Sequence, residues 1–175
     1  LFGSIRIYSD LFGSIRIYSD LPGSPVRPRT TLQMAKLRTP TAEDRHDLAE
    51  LMTQLGYPCN PSEIPGRLER LGRDTNVLVS VAEHESKVVG VATGQILDAI
   101  HKSEPVAMLT ALVVLERARG MGIGSLLVAH VEQWARARDA RAISLTSALR
   151  RTEAHDFYRK LGYEHTGVRL TKSLS

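Results

Sequence analysis

A single cysteine, Cys59, stands in this chain of 175 residues, so no internal disulfide can form. No Cys/His ligand spacing is present either, which argues against a structural zinc site, and the composition fits a reducing compartment. No apolar run approaches the ~20 residues that span a bilayer, and the N-terminal residues lack the charged-then-apolar-then-small order of a signal peptide. The expectation is a cytoplasmic protein with no membrane partner and no metal. What is present is 42% apolar and 24% charged residues, enough for one compact domain with a sizeable core. A net charge of +4 suits an anionic ligand, although much of the excess is arginine between positions 136 and 159. A nucleic-acid module built on those arginines would need a recognised motif, and none occurs.

Residues 1–10, LFGSIRIYSD, recur unchanged at 11–20, too few copies for a repeat architecture. Each copy has an alternating stretch that could pair as an edge strand. Residues 21–33 carry three prolines and a glycine and read as a linker, with Met34 as a start. The division is therefore an N-terminal extension, 1–33, and a compact domain, 34–175.

Within that domain the periodicity switches repeatedly. Residues 36–39 suit a short strand. Thr41 and Asp44 form a helix-start signal, and Leu48, Leu51, Met52 and Leu55 lie on one face of a helix over 42–55. Asn60-Pro61 starts a second helix that ends at Gly72. Alternating apolar residues predict strands over 77–81 and 88–96 joined by a turn, and a further apolar strand over 107–115. Ile123, Leu126, Leu127, His130, Val131 and Trp134 then mark a buried helix face, with His130 read as a core histidine. A strand over 142–146, a helix over 153–161 stopped by Gly162, and a last strand over 163–170 complete the order. The fold class is α/β (α+β): a mixed, mostly antiparallel sheet flanked by helices, with a strand-to-helix crossover at a glycine-rich turn.

That turn, Arg119-Gly120-Met121-Gly122-Ile123-Gly124, carries the strongest chemical signal. Its glycines remove side chains where backbone must approach a ligand. The unpaired amides of the following helix turn, with the positive end of the helix dipole, make an anion site suited to a diphosphate. Arg117 and Arg119 would add charge. A P-loop would need Lys-Ser/Thr after the last glycine, where Ser125-Leu126 stand. A dinucleotide fold would need G-x-G-x-x-G spacing and an acid after the next strand, and Asp139 precedes that strand. ATP and NAD are disfavoured, and a turn that merely permits close packing is the remaining alternative.

The segment resembles the GNAT superfamily of acyl-CoA transferases, whose signature is Arg/Gln-x-x-Gly-x-Gly/Ala. Arg119, Gly122 and Gly124 match it, and Ala154, Phe157-Tyr158 and Gly162-Tyr163 match the helix that follows in the family. The resemblance spans roughly 36–172 and is sharpest over 109–163. It implies an N-acetyltransferase that uses acetyl-CoA and a primary amine, with no metal and with a homodimer as one option. It further implies that backbone groups of Leu112, Val113 and Val114 pair with the pantetheine arm. The amides of Arg119, Gly120, Met121, Gly122, Ile123, Gly124 and Ser125 would hold the pyrophosphate, and Tyr158 would sit at the sulfur as general acid. Where the family often has an asparagine contacting pantetheine, this chain has Arg151, a departure that leaves its role open: it is taken as a cofactor-binding position that could face the cofactor's phosphates with Arg150 and Arg159, the alternative being a solvated basic helix face. The alternative reading of Tyr158 is a core aromatic.

Glu83, His101 and Glu104 are candidate bases near strand ends, and His155 could tune Tyr158 from one turn away. A non-catalytic acyl-CoA sensor would keep the phosphate turn without needing Tyr158. The acceptor pocket falls on the first helices, about 41–73, where the resemblance is least specific.

Overall fold

The computed structural model describes residues 6–9, 15–18 and 35–174. The linker and Met34 lie outside the described residues. The two decapeptide copies form strands β1 (Arg6–Ser9) and β2 (Ile15–Tyr18), which pair antiparallel in a sheet of their own. Ile7 stands opposite Ile17, the same position of the repeat.

The domain is a five-stranded sheet in the order β3-β4-β5-β6-β7. Its strands are β3 (Lys36–Arg38), β4 (Val77–His84), β5 (Lys87–Leu97), β6 (Val106–Val114) and β7 (Ala142–Leu145). All neighbours are antiparallel except β6 and β7, which run parallel because the crossover helix α3 (Ile123–Arg136) joins them. Helices α1 (Arg45–Leu55) and α2 (Ile64–Gly72) connect β3 to β4, and α4 (Thr152–Lys160) follows β7.

Alternation along the strands fixes which residues face α3. A Cβ on Gly94 would come within 2.7 Å of Val131 on α3, so β5 has no side chain where the helix lies closest. Ile123, Leu127, Val128, Val131 and Ala135 are the buried face of α3, each large aliphatic side chain contributing about 1.5–3 kcal/mol. His130 sits at the margin of that face, half-buried rather than in the core, and partial burial lowers its pKa. The stripe is centred about one residue round the helix from its expected position. At the far edge, Arg38 on β3 makes paired bonds of 2.8 and 2.7 Å to Asp44 and one of 2.6 Å to Glu83, joining two strands and the entry to α1.

The expected last strand is not formed. Residues 163–174 make no ladder with β7, and Val168 and Leu170 are 83% and 90% exposed. Their alternation has no apolar face to cover: β7 is four residues long and itself alternates between exposed and half-buried positions. Arg169 bonds the Thr146 hydroxyl at 3.0 Å just beyond it.

Candidate active site

The site begins where two strands part. β6 pairs with β7 only as far as Leu109 opposite Leu145, and an irregularity at the same level sets Thr93 opposite Ala111 but Gly94 opposite Leu109, leaving Thr110 as the extra residue. The Thr93 and Thr110 hydroxyls meet at 2.5 Å across it. Beyond this point, residues 110–114 keep β5 on one side and have no strand on the other among the described residues. The Leu115 N–H donates to the Val89 carbonyl at 2.8 Å. Antiparallel alternation therefore turns the main-chain groups of Leu115 and Val113 into the sheet and those of Leu112 and Val114 toward the open gap. Of the three residues expected to offer backbone groups, Leu112 and Val114 face the gap and Val113 faces β5.

One of those groups is already used. Gln54 in the last turn of α1 donates to the Val114 carbonyl at 2.6 Å and accepts from the Glu116 N–H at 2.9 Å, holding the end of β6. The expected apolar stripe of α1 gave no sign of this, because the contact depends on where a neighbouring element ends.

After β6 the chain makes a short turn, Glu116–Ala118, and enters the glycine segment. Gly120 and Gly122 have φ of 79° and 77°, the left-handed region in which a side chain is strained. No amide from Gly120 to Ser125 has a hydrogen-bond acceptor among the described residues, so the first turn of α3 presents a row of free donors at its positive end. Ile123 is buried and anchors that turn in the core, while Met121 and Ser125 are exposed. Gly124 has another reason: a Cβ there would meet the Phe157 ring at 3.3 Å. The third glycine therefore leaves room for α4 to pack against α3. Arg119 is exposed with no ion pair among the described residues, whereas Arg117 is held by Glu50 of α1 at 2.6 Å and points its charge there.

On the other side of the gap, α4 brings Phe157 and Tyr158 edge to face at 5.1 Å, and Tyr158 meets Tyr163 at 5.6 Å. Tyr158 is thus an aromatic packed among aromatics, yet its hydroxyl has no hydrogen-bond partner among the described residues. Burial raises its pKa and the nearby Arg151 charge partly offsets the rise, so the phenol keeps its proton at neutral pH. Tyr163 donates to Glu132 at 3.1 Å. Arg151, at the start of α4, donates from Nη2 to the Leu55 carbonyl at 2.6 Å, at the C-terminal end of α1. His155 makes no side-chain hydrogen bond among the described residues. Ser147, two residues beyond β7, has a buried hydroxyl without a partner among the described residues, a feature the sequence did not signal.

The candidate bases are not brought together. Glu83 accepts from Arg38 near the far edge of the sheet. His101 and Glu104 lie in the loop leading into the start of β6, the end away from Val114, and Glu104 is 4.0 Å from Arg141. No group of three or more His, Cys, Asp or Glu side chains among the described residues is placed to hold a metal. No helix there is long and apolar enough to cross a membrane.

Comparison with known proteins matches residues 43–163 to the acetyltransferase (GNAT) family. The aminoalkylphosphonate N-acetyltransferase of Salmonella typhimurium strain LT2 is 30% identical over 153 residues, covering 85% of this chain and 97% of that protein. A GNAT family acetyltransferase of Staphylococcus aureus has a similar structure, with a TM-score of 0.69 at 23% identity, over 81% of this chain and 99% of that one. A Bacillus halodurans structure described as a transcriptional regulator gives a TM-score of 0.71 at 22% identity, over 79% and 99%. At that identity the two structures speak for the fold alone.

Proposed function

The chain belongs to the GNAT acetyltransferase family and is an N-acetyltransferase; from that premise we propose that it moves the acetyl group of acetyl-CoA to a small primary amine within the gap beside β6. The observation that carries this reading is the junction of an open strand edge with a row of free amides. Leu112 and the Val114 N–H can pair with the amide groups of a pantetheine arm as an added strand would. The amides of residues 120–125 suit a pyrophosphate, and the exposed Arg119 adds charge-assisted bonds.

Tyr158 is assigned as general acid. The amine nitrogen attacks the thioester carbonyl, the carbon–sulfur bond breaks as the phenol gives its proton to the departing thiolate, and the proton shed by the attacking nitrogen goes to water, from which the phenol is restored. An alkylamine of pKa ~10.4 must first lose a proton, which costs about 4–5 kcal/mol at pH 7. None of Glu83, His101 and Glu104 stands at the open edge, so none of the three is assigned as base, and kcat/KM is expected to rise with pH as the neutral amine becomes available.

The name of the Salmonella relative puts aminoalkylphosphonates first among acceptors. Thiol release from acetyl-CoA, measured against aminoalkylphosphonates, polyamines, aminoglycosides and lysine peptides, tests the assignment. The reading expects turnover with a small amine. Tight acetyl-CoA binding with no thiol release from any amine would favour the non-catalytic sensor.

A further inference from the structure

The last turn of α1 reaches both sides of the gap. Gln54 holds the end of β6, and the next residue, Leu55, holds the Arg151 guanidinium through its carbonyl. The guanidinium rests beside the left-handed turn that ends α1, where a Cβ on Gly56 would lie 3.9 Å from Nη2. A terminal helix carbonyl orients an arginine without neutralising it, since it carries only partial negative charge. No carboxylate pairs with Arg151 among the described residues, whereas Arg159 and Arg136 on the flanking helices are paired with Asp156 and Glu132. Among the described residues the remaining N–H donors of Arg151 have no partner, and its charge is felt at the Tyr158 phenol. The donor's diphosphate is already provided for by the amide row that opens α3.

We propose that Arg151 holds the anionic group of the acceptor, a phosphonate on a short aminoalkyl chain, so that the amine is directed toward Tyr158. The proposal rests on the acetyltransferase reading of this gap. It moves Arg151 from the donor to the acceptor. A guanidinium fixed through one N–H keeps a planar fork of donors that matches two phosphonate oxygens, which a lysine ammonium cannot reproduce.

The test compares wild type with Arg151→Gln and Arg151→Lys, using 2-aminoethylphosphonate and propylamine as acceptors. Binding of 2-aminoethylphosphonate in the presence of CoA is measured separately by calorimetry. Loss of a charge-assisted contact should reduce the preference for 2-aminoethylphosphonate over propylamine by about 10- to 100-fold in the Gln variant, with an equivalent loss of calorimetric affinity. The Lys variant should recover part of both. An increase confined to the KM of acetyl-CoA would overturn the proposal and return Arg151 to the donor. Equal losses for the two amines, accompanied by a lowered melting temperature, would make it a strut between α1 and α4. Absence of thiol release with every amine would sink the acetyl-transfer reading, and the calorimetric arm would still decide whether Arg151 holds the phosphonate.

Discussion

The two walls of the gap are made of different material. The wall formed by β6 and the start of α3 consists mainly of backbone: the open edge at Leu112 and Val114, and the amides of residues 120–125. The facing wall consists of side chains that bridge distant segments, with Arg151 reaching Leu55 and Tyr158 packed between Phe157 and Tyr163. A backbone wall is damaged only by changes that alter the path of the chain, whereas a side-chain wall loses one function with each residue removed.

The largest effect expected from this contrast is on the side-chain wall. Tyr158→Phe keeps the packed ring and deletes the hydroxyl, so kcat should fall by about 10²-fold while the acceptor KM changes little. Because burial raises the pKa of the phenol, the wild-type acid keeps its proton beyond the pH at which an ordinary tyrosine loses it. The defect should shrink above pH ~8.5, where a thiol of cysteine-like pKa leaves readily without its proton. Wild-type kcat in the Phe variant would return Tyr158 to a packing role.

On the backbone wall, Gly122→Val should weaken acetyl-CoA binding by at least about 10-fold, seen as a lost thermal shift, while the protein stays folded. Space is not the difficulty there, since a Cβ on Gly122 meets nothing within 4 Å. The left-handed backbone is, at about 1–2 kcal/mol for a side chain. Gln54 joins the contrast, a side chain that fixes backbone. Gln54→Leu leaves the Val114 carbonyl and the Glu116 N–H without partners and should cost about 1–3 kcal/mol, a fall of roughly 3–8 °C in Tm. Acetyl-CoA affinity should weaken with it by a few-fold.

Away from both walls, Asp44→Asn should lower stability by about 1–2 kcal/mol and leave cofactor affinity unchanged. The Arg38 guanidinium lowers the pKa of Asp44, so the folded carboxyl ionises at lower pH than the unfolded chain's ~3.9. Its stabilisation is complete above about pH 5 and is lost as pH falls through the folded value, which acid unfolding of wild type and variant would reveal. The smallest effect is expected from deleting residues 1–33. Acetyl-CoA affinity should be unchanged by calorimetry, and an insoluble or non-binding truncation would join that arm to the fold.

The same division governs how much could be read from the sequence. Most of the sheet, its helices and the glycine-rich turn were legible because each is a local pattern: alternation in β4 to β6, a 3.6-residue stripe in α3, and closely spaced glycines, two of which adopt positive φ. Gln54 was not assigned and the contact of Arg151 with α1 was not foreseen, because the carbonyls they bond lie 60 and 96 residues away and no residue type announces a backbone partner. Gly124 looked identical to Gly122, yet Gly122 is left-handed whereas Gly124 lies inside α3 with Phe157 above it. The strand expected over 163–170 had its alternation, but a strand also needs a partner edge long enough to pair with, and β7 supplies four residues.

Main-chain hydrogen exchange, followed residue by residue with and without acetyl-CoA, tests the central claim most directly. The Val113 amide, turned toward β5, should exchange slowly in both states. The amides of Leu112 and Val114, and those from Gly120 to Ser125, should exchange quickly in the free protein and become protected when acetyl-CoA binds. Protection that appears elsewhere, with Leu112, Val114 and the glycine turn unchanged, would contradict the placement of the donor along β6.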